Sequence, residues 1–522
     1  MTTWMSTHLL SFLVFSPGAA GLALLAFPER QARLAKLLGL LVAIALFGVS
    51  LRALSLTPDA SGWLFLEHRP WFSVAGLPVD YRLGLDGLNL WLALLTALLV
   101  PVTMLATWSS LAKREGTFAG LLLLLETGVL GALLSQDMLF FYLFWEGMLI
   151  PTTFMIWIWG GEDRRYAGTK YFLYLASGSL LWLVGLLYLA GQAGSFSPEL
   201  MAQAAAGLSL HAQGWLFLAF VLAFAIKFPI FPVHTWMPDA YSQAPVAAVP
   251  VGMLVKLGGY GFLRFVIPIL PAAAARHSHV LAVLAVVAIL FGSLVALVQR
   301  DMKKLVAYSS LAHMGFVLLG LASLSVIGVQ GALLQLVNLG VSTTALFLMI
   351  GMLERRAGTT MIADFGGVAS RMPVLTGFWL LAAMASIGLP LTNGFVGEFL
   401  ILNGTFTSGF AWGRVAACLA TLGVLLGAAY LLWMTKRVFW GAENADPDGG
   451  TAKLAQDLTA RELAALLPLA ALILWIGVHP RTFLAPSDRP VAQLLSDAQA
   501  PAPAAPALGT AAGSAPLSEV HE

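Results

Sequence analysis

The sequence predicts an all-α, polytopic membrane protein, and three observations carry that prediction. Hydrophobic residues make up 59% of the 522 and charged residues only 10%, against about 25% charged in soluble domains. Apolar windows of about 20 residues, long enough to cross a bilayer, recur fourteen times. Basic residues gather in alternate connections, as the positive-inside rule requires of a chain that crosses repeatedly.

The predicted spans are 8–27, 34–54, 86–108, 117–135, 138–158, 169–190, 215–233, 246–269, 279–298, 304–323, 329–352, 374–402, 412–436 and 463–480. No Lys or Arg precedes the first, so it reads as a retained span rather than a secretory signal with its basic leader. The longest connection, 55–85, carries Trp63, Trp71 and Tyr81 as candidate interface anchors. Asp137 stands where an N-cap would start the fifth span. The seventh span is interrupted by Pro229 and Pro232, the twelfth by Gly388, Pro390 and Gly394. The last stretch, 498–522, is rich in Ala and Pro and reads as a disordered tail.

Most of the 28 basic residues fall on one side of this arrangement: Arg30, Arg33 and Lys36; Lys113 and Arg114; Arg164, Arg165 and Lys170; Arg300, Lys303 and Lys304; Arg355, Arg356 and Arg371; Lys436, Arg437, Lys453 and Arg461. That side is expected to be cytoplasmic, with both termini outside. Lys303 and Lys304 read as ordinary members of this topology signal.

Composition also excludes chemistries. A net charge of +2 offers no surface for nucleic acid. One cysteine, Cys418, rules out an intrachain disulfide and a cysteine-held metal or iron–sulfur site. No phosphate-cradling glycine loop stands between a strand and a helix. No cofactor or metal is therefore expected on this chain.

The informative residues are ionisable groups inside the spans: Glu126, Glu146, Lys227, Lys256, His313 and Glu398. A charge at the bilayer centre costs roughly 2.5–3.5 kcal/mol on insertion scales and persists only with a partner or water. Any one could be an ion pair that holds helices together. Six of both signs form instead the set of groups that a proton relay needs, because burial and mutual interaction bring carboxyl and ammonium groups within range of proton exchange. Lys227 stands two residues before Pro229, where a broken helix leaves carbonyls for water or ions. His234 follows the same break, to cap it or to line the path.

These residues lie in motifs. The segments LLLLLETG at 121–128, FYLFWEGMLIPTTF at 141–154 and IWGGEDRRYAGTKYFLY at 158–174 are followed by AFAIKFPIFPVHTWMPDA at 223–240 and APVAAVPVGMLVKLGGYGFLRF at 244–265. LVQRDMKKLVAYSSLAHMGFVLLG at 297–320 and GLPLTNGFVGEFLIL at 388–402 complete the set. Over about 80–480 the chain resembles the antiporter-like M subunits of proton-pumping NADH–quinone oxidoreductase, respiratory complex I.

That resemblance implies an N-terminal three-helix segment (1–116), two inverted five-helix repeats (117–269 and 279–440), a loop with the last span (441–497) and the tail (498–522). It implies a fifth-helix acid in Glu146 paired with a seventh-helix lysine in Lys227, and a fourth-helix acid in Glu126. It further implies a central lysine in Lys256, a tenth-helix relay in His313, and a twelfth-helix acid in Glu398 where sister subunits carry lysine. NADH, FMN, iron–sulfur clusters and quinone are expected in partner subunits, and the partners are other membrane-arm subunits, the sister subunits above all. The implied location is the bacterial inner membrane, with both termini periplasmic. The other reading is a subunit of a multisubunit Mrp-type cation/proton antiporter.

One position departs from the pattern. Where the family carries histidine in the eleventh helix, this chain reads NLGVSTTALF and has Leu339. Gln335, Asn338 and Ser342 share one face of that helix and are expected to bridge the gap with water, which requires two to four polar partners per molecule.

Overall fold

The computed structural model describes residues 7–109, 113–245, 256–442, 451–454 and 456–499. The first half of the eighth predicted span and the tail from 500 onward lie outside them. Among the described residues, ten helices are long and apolar enough to cross a membrane, and three shorter apolar ones, Leu9–Leu25, Leu90–Ala106 and Pro373–Ser386, accompany them.

In chain order the helices are α1 (Leu9–Leu25), α2 (Ala32–Ser50), α3 (Leu90–Ala106), α4 (Glu115–Leu134), α5 (Met138–Gly147), α6 (Leu149–Trp159), α7 (Arg164–Ala193), α8 (Pro198–Ala206), α9 (Leu210–Lys227) and α10 (Trp236–Gln243). Then come α11 (256–269), α12 (Pro271–Leu297), α13 (Met302–Ala322), α14 (Val326–Ala357), α15 (Pro373–Ser386), α16 (Asn393–Thr407), α17 (Gly413–Trp440), α18 (Ala460–Val478) and α19 (Arg481–Gln499). Helix starts follow local chemistry. Asp137 accepts from Leu139 N and Phe140 N at 3.0 Å each, so its expected N-cap role holds. Asp301 and Ser325 cap α13 and α14 in the same way.

α13 and α14 are the centre. Their apolar windows are 94% buried, against 39% for α17 at the periphery. α12 and α14 pack on α13, and α3, α16 and α18 pack on α14. At 32 residues α14 spans the whole thickness, about 48 Å at 1.5 Å per residue.

Two elements depart from the expected set of spans. Residues 55–85 contain an antiparallel hairpin, β1 (Phe65–Val74) with β2 (Leu77–Leu85). Ala75 and Gly76 both take positive φ, 52° and 82°, the two-residue turn whose twist suits a hairpin. Asp80 N donates to Asp137 at 3.1 Å, which ties the hairpin to the start of α5. Burial pushes the Asp137 carboxyl up to about 6 despite its three backbone N–H partners. Trp63 is not a free anchor: its ring lies 4.8 Å from the Arg264 guanidinium. The second departure is α19, beyond the last predicted span. Pro486 and Pro490 argue against a helix in the sequence, yet α19 forms on α14, with Gln330 Nε2 donating to Asp488 at 2.7 Å.

The basic side is more than a topology signal. Lys303 is buried and pairs with Glu354 at 2.7 Å. Lys36 is buried against Glu115 at 3.2 Å. Glu462, 2% exposed in the first turn of α18, takes Arg355 at 2.5 Å and Arg356 at 2.7 Å and completes a capping box with Thr459. Removing one partner of a buried pair leaves an uncompensated charge, so Glu462→Ala is expected to destabilise by roughly 3 kcal/mol, the low end of the 3–5 range because Arg355 is partly exposed. Thermal unfolding in detergent measures this, and an unchanged midpoint would mean that water already compensates both guanidinium groups.

Candidate functional site

The two broken helices organise the site, and both are closed alike. α9 stops at Lys227 because Phe228 precedes a proline and is steered out of the α region. Ile230 N reaches back to Ala225 O at 3.0 Å, and the Trp236 indole N–H donates to Ile226 O at 2.8 Å. α15 stops at Ser386, and Leu389 N reaches Met384 O at 3.0 Å, five residues back as in α9. Gly388 turns the chain at φ 74°, and a Cβ there would approach Glu398 Oε2 to 3.0 Å. Breaks that re-satisfy their own carbonyls can persist away from solvent.

At the first break Lys227 is 1% exposed. Its Nζ donates to Trp145 O at 2.8 Å and stands 3.8 Å from the centroid of the same indole. The acceptor belongs to the last turn of α5, just before the break at Met148 that separates it from α6. Glu146 is the next residue, half-buried, and its Oε1 has no hydrogen-bond partner among the described residues. Among the described residues Glu146 and Lys227 make no direct ion pair; the lysine is held by the carbonyl and ring of Trp145, the residue before Glu146. Glu126, fully buried in α4, has both carboxyl oxygens without a partner among the described residues. It stands apart from the other candidate groups.

At the second break the groups are connected. His313 Nδ1 and Glu398 Oε1 are hydrogen-bonded at 2.9 Å, both nearly inaccessible to solvent. Gln335 Nε2 donates to the same carboxyl oxygen at 3.4 Å, and Asn338 Nδ2 donates to Gln335 Oε1 at 3.0 Å. Asn338 Nδ2 also donates to Asn393 O at 2.7 Å, and Ser342 Oγ donates to Asn393 Oδ1 at 3.1 Å. The polar groups of α14 between Gln335 and Ser342 are thus linked to one another, to Glu398 and to Asn393. Between Asn338 and Ser342 stands Gly340, where a Cβ would collide with Lys256 Nζ. Asn393, Ser342, Asn338 and Gln335 form a polar cluster that ends on Glu398 and His313, while Lys256 meets α14 at Gly340, on the helix's opposite face. Leu339 points elsewhere, into the apolar core.

Sequence reasoning reaches the titratable groups and the α14 face. It misses Asn393, Gly340 and the Trp145 carbonyl, which stand inside the quoted segments but carry no charge to mark them. The one signal for Asn393 is its place directly after the second break.

The family described as NADH:quinone oxidoreductase/Mrp antiporter, TM, matches residues 135–423. The chain is 41% identical over 492 residues to NADH-quinone oxidoreductase subunit M of Rhodobacter capsulatus, covering 91% of this chain and 93% of that one. It is 35% identical over 479 residues to NADH-ubiquinone oxidoreductase chain 4 of Arabidopsis thaliana, covering 91% and 94%. Among solved structures, respiratory complex I from Thermus thermophilus with bound NADH matches with a TM-score of 0.82 at 33% identity, covering 93% of this chain and 99% of the matched chain. The Mrp complex from Dietzia sp. DQ12-45-1b gives the same TM-score at 21% identity, covering 95% and 99%, a likeness of fold alone. With its intramembrane acids and lysines at two broken helices and this identity over nearly its whole length, the chain belongs to the subunit M family of NADH-quinone oxidoreductase.

Proposed function

We propose that this chain carries one proton path in the membrane arm of a proton-pumping NADH–quinone oxidoreductase. It does so as fourteen spans containing two inverted five-helix repeats, in a bacterial inner membrane with both termini outside. The electron carriers and quinone belong to partner subunits, and the sister antiporter-like subunits are its neighbours. Within the path, Glu146 and Lys227 take up a proton at the first break, Lys256 holds it centrally, and His313 with Glu398 delivers it at the second; Glu126 tunes the first half from α4. The hydrogen-bonded polar face of α14 that ends on Glu398 and His313, with Lys256 packed against Gly340 of the same helix, is the observation that carries this reading. Amide and hydroxyl groups do not titrate, so they serve by holding water in register between Lys256 and the His313–Glu398 pair.

Asn338 is the middle link, donating to both Gln335 and the Asn393 backbone. Asn338→Leu keeps the size and removes both bonds. In the purified complex reconstituted into vesicles, it should cut proton translocation severely while the complex still assembles. Unchanged pumping would take the α14 line out of the path. Co-purification with a quinone-reducing assembly supports complex I, whereas activity as a cation/proton exchanger without an electron donor would support the Mrp-type alternative.

A further inference from the structure

One buried ionic cluster has no part in that path. Four and eight residues beyond Lys256, on the same helix, stand Tyr260 and Arg264. Residues at i and i+4 share a face, and the wider π turn at Phe262–Val266 keeps position 264 nearer that face than an α-helix would. Tyr260 is fully buried; its hydroxyl donates to Leu133 O at 2.9 Å and lies 3.4 Å from Asn89 Nδ2. Asn89, also fully buried, accepts from Asp86 N at 2.9 Å. Asp86 pairs with the Arg264 guanidinium. Arg264 also donates Nε to Gln136 Oε1 at 3.0 Å and stacks at 4.8 Å over Trp63. Immediately beyond, between the hairpin region and α19, lies a cavity of about 400 Å³ lined by Asp86, Gln136, Glu199, Arg264 and Asp497 among others.

We propose that Arg264, held by Asp86, Gln136 and Trp63, is a stopper that closes the hairpin-face end of the Lys256 helix against protons. The inference rests on the reading of Lys256 as a proton carrier. A polar stripe from Lys256 to a water-accessible cavity would short-circuit the path, because a proton could leave through the first half of the chain instead of moving along α14. A guanidinium does not release its proton, so it cannot relay one. Its fixed positive charge repels a hydrated proton, as arginine does in pores that exclude cations. An ion pair serving only to join the turn before α3 to α11 would need neither the Tyr260–Asn89 polar contact on one side nor the cavity on the other. Three contacts of different geometry hold the charge in place, which a barrier requires and a simple helix joint does not.

The test uses the whole complex in vesicles, with passive decay of a pH gradient measured under blocked quinone reduction and protons pumped per NADH measured under turnover. Arg264→Gln should speed the decay several-fold and lower the proton yield. Arg264→Lys, which keeps the charge, should stay tight. Asp86→Asn, nearly isosteric, should leak less than Arg264→Gln but more than wild type, and it decides if Arg264→Gln does not assemble. The double variant Arg264→Gln with Lys256→Ala should be tight again. Wild-type tightness and yield in whichever of Arg264→Gln and Asp86→Asn assembles would overturn the stopper. So would lost pumping in tight vesicles, since Arg264 would then lie on the path itself. Normal pumping in Lys256→Ala alone would instead overturn the reading of Lys256 and leave the leak measurement to stand separately.

Discussion

Valine at position 340 is expected to abolish most proton translocation while the complex still assembles. A Cβ at Gly340 collides with Lys256 Nζ and with the Leu95 side chain. The surrounding helices are close-packed and cannot yield by an ångström without cost, so the flexible lysine must move. Its ammonium then loses its place against the Gly340 backbone of α14. Gly340→Ala, with one carbon rather than three, should retain part of the activity, and the graded loss separates a displaced lysine from a collapsed fold. Pumping by reconstituted Gly340→Val at the wild-type rate would mean that Lys256 can work from another position.

The second large effect is expected at Glu398. Its carboxyl is the acceptor shared by His313 and Gln335, and Gly388 at the break brings backbone beside its other oxygen. Glu398→Ala removes a titratable group and leaves two buried polar side chains unsatisfied, so translocation should fall to near background. Positioned proton-transfer groups typically contribute about 10²–10⁴-fold to the steps they serve. Glu398→Asp should keep part of the activity, because one methylene less lengthens the His313 contact without removing the acid. Proton uptake by vesicles, normalised to assembled complex, measures both. If the alanine variant pumps normally, the second break is not the delivery point.

The smaller predictions depend on the same contacts. Glu462→Ala tests a charge cluster on the basic side and Asn338→Leu a single link of the α14 line. Gly340→Val and Asn338→Leu act on opposite faces of the same turn of α14, so their effects should not add.

The sequence by itself determined the membrane class, the position of the broken helices and the identity of the titratable residues. These follow from local or one-dimensional facts: the length of apolar runs, the cost of charge in hydrocarbon, and what proline does to the residue before it. It also determined that Gln335, Asn338 and Ser342 share a face, since helix periodicity alone fixes that. The hairpin at 65–85 and α19 were hidden because neither is an apolar span. One depends on a two-residue turn, and the other on packing that overrides two prolines. Only the tertiary structure decided which charges meet. It placed Lys227 on a backbone carbonyl rather than on Glu146, joined His313 to Glu398 across 85 residues, set Gly340 under Lys256, and paired Arg264 with Asp86 across 178. Such pairings depend on how helices from distant parts of the chain pack, and no periodicity along the chain encodes the distance between two of them.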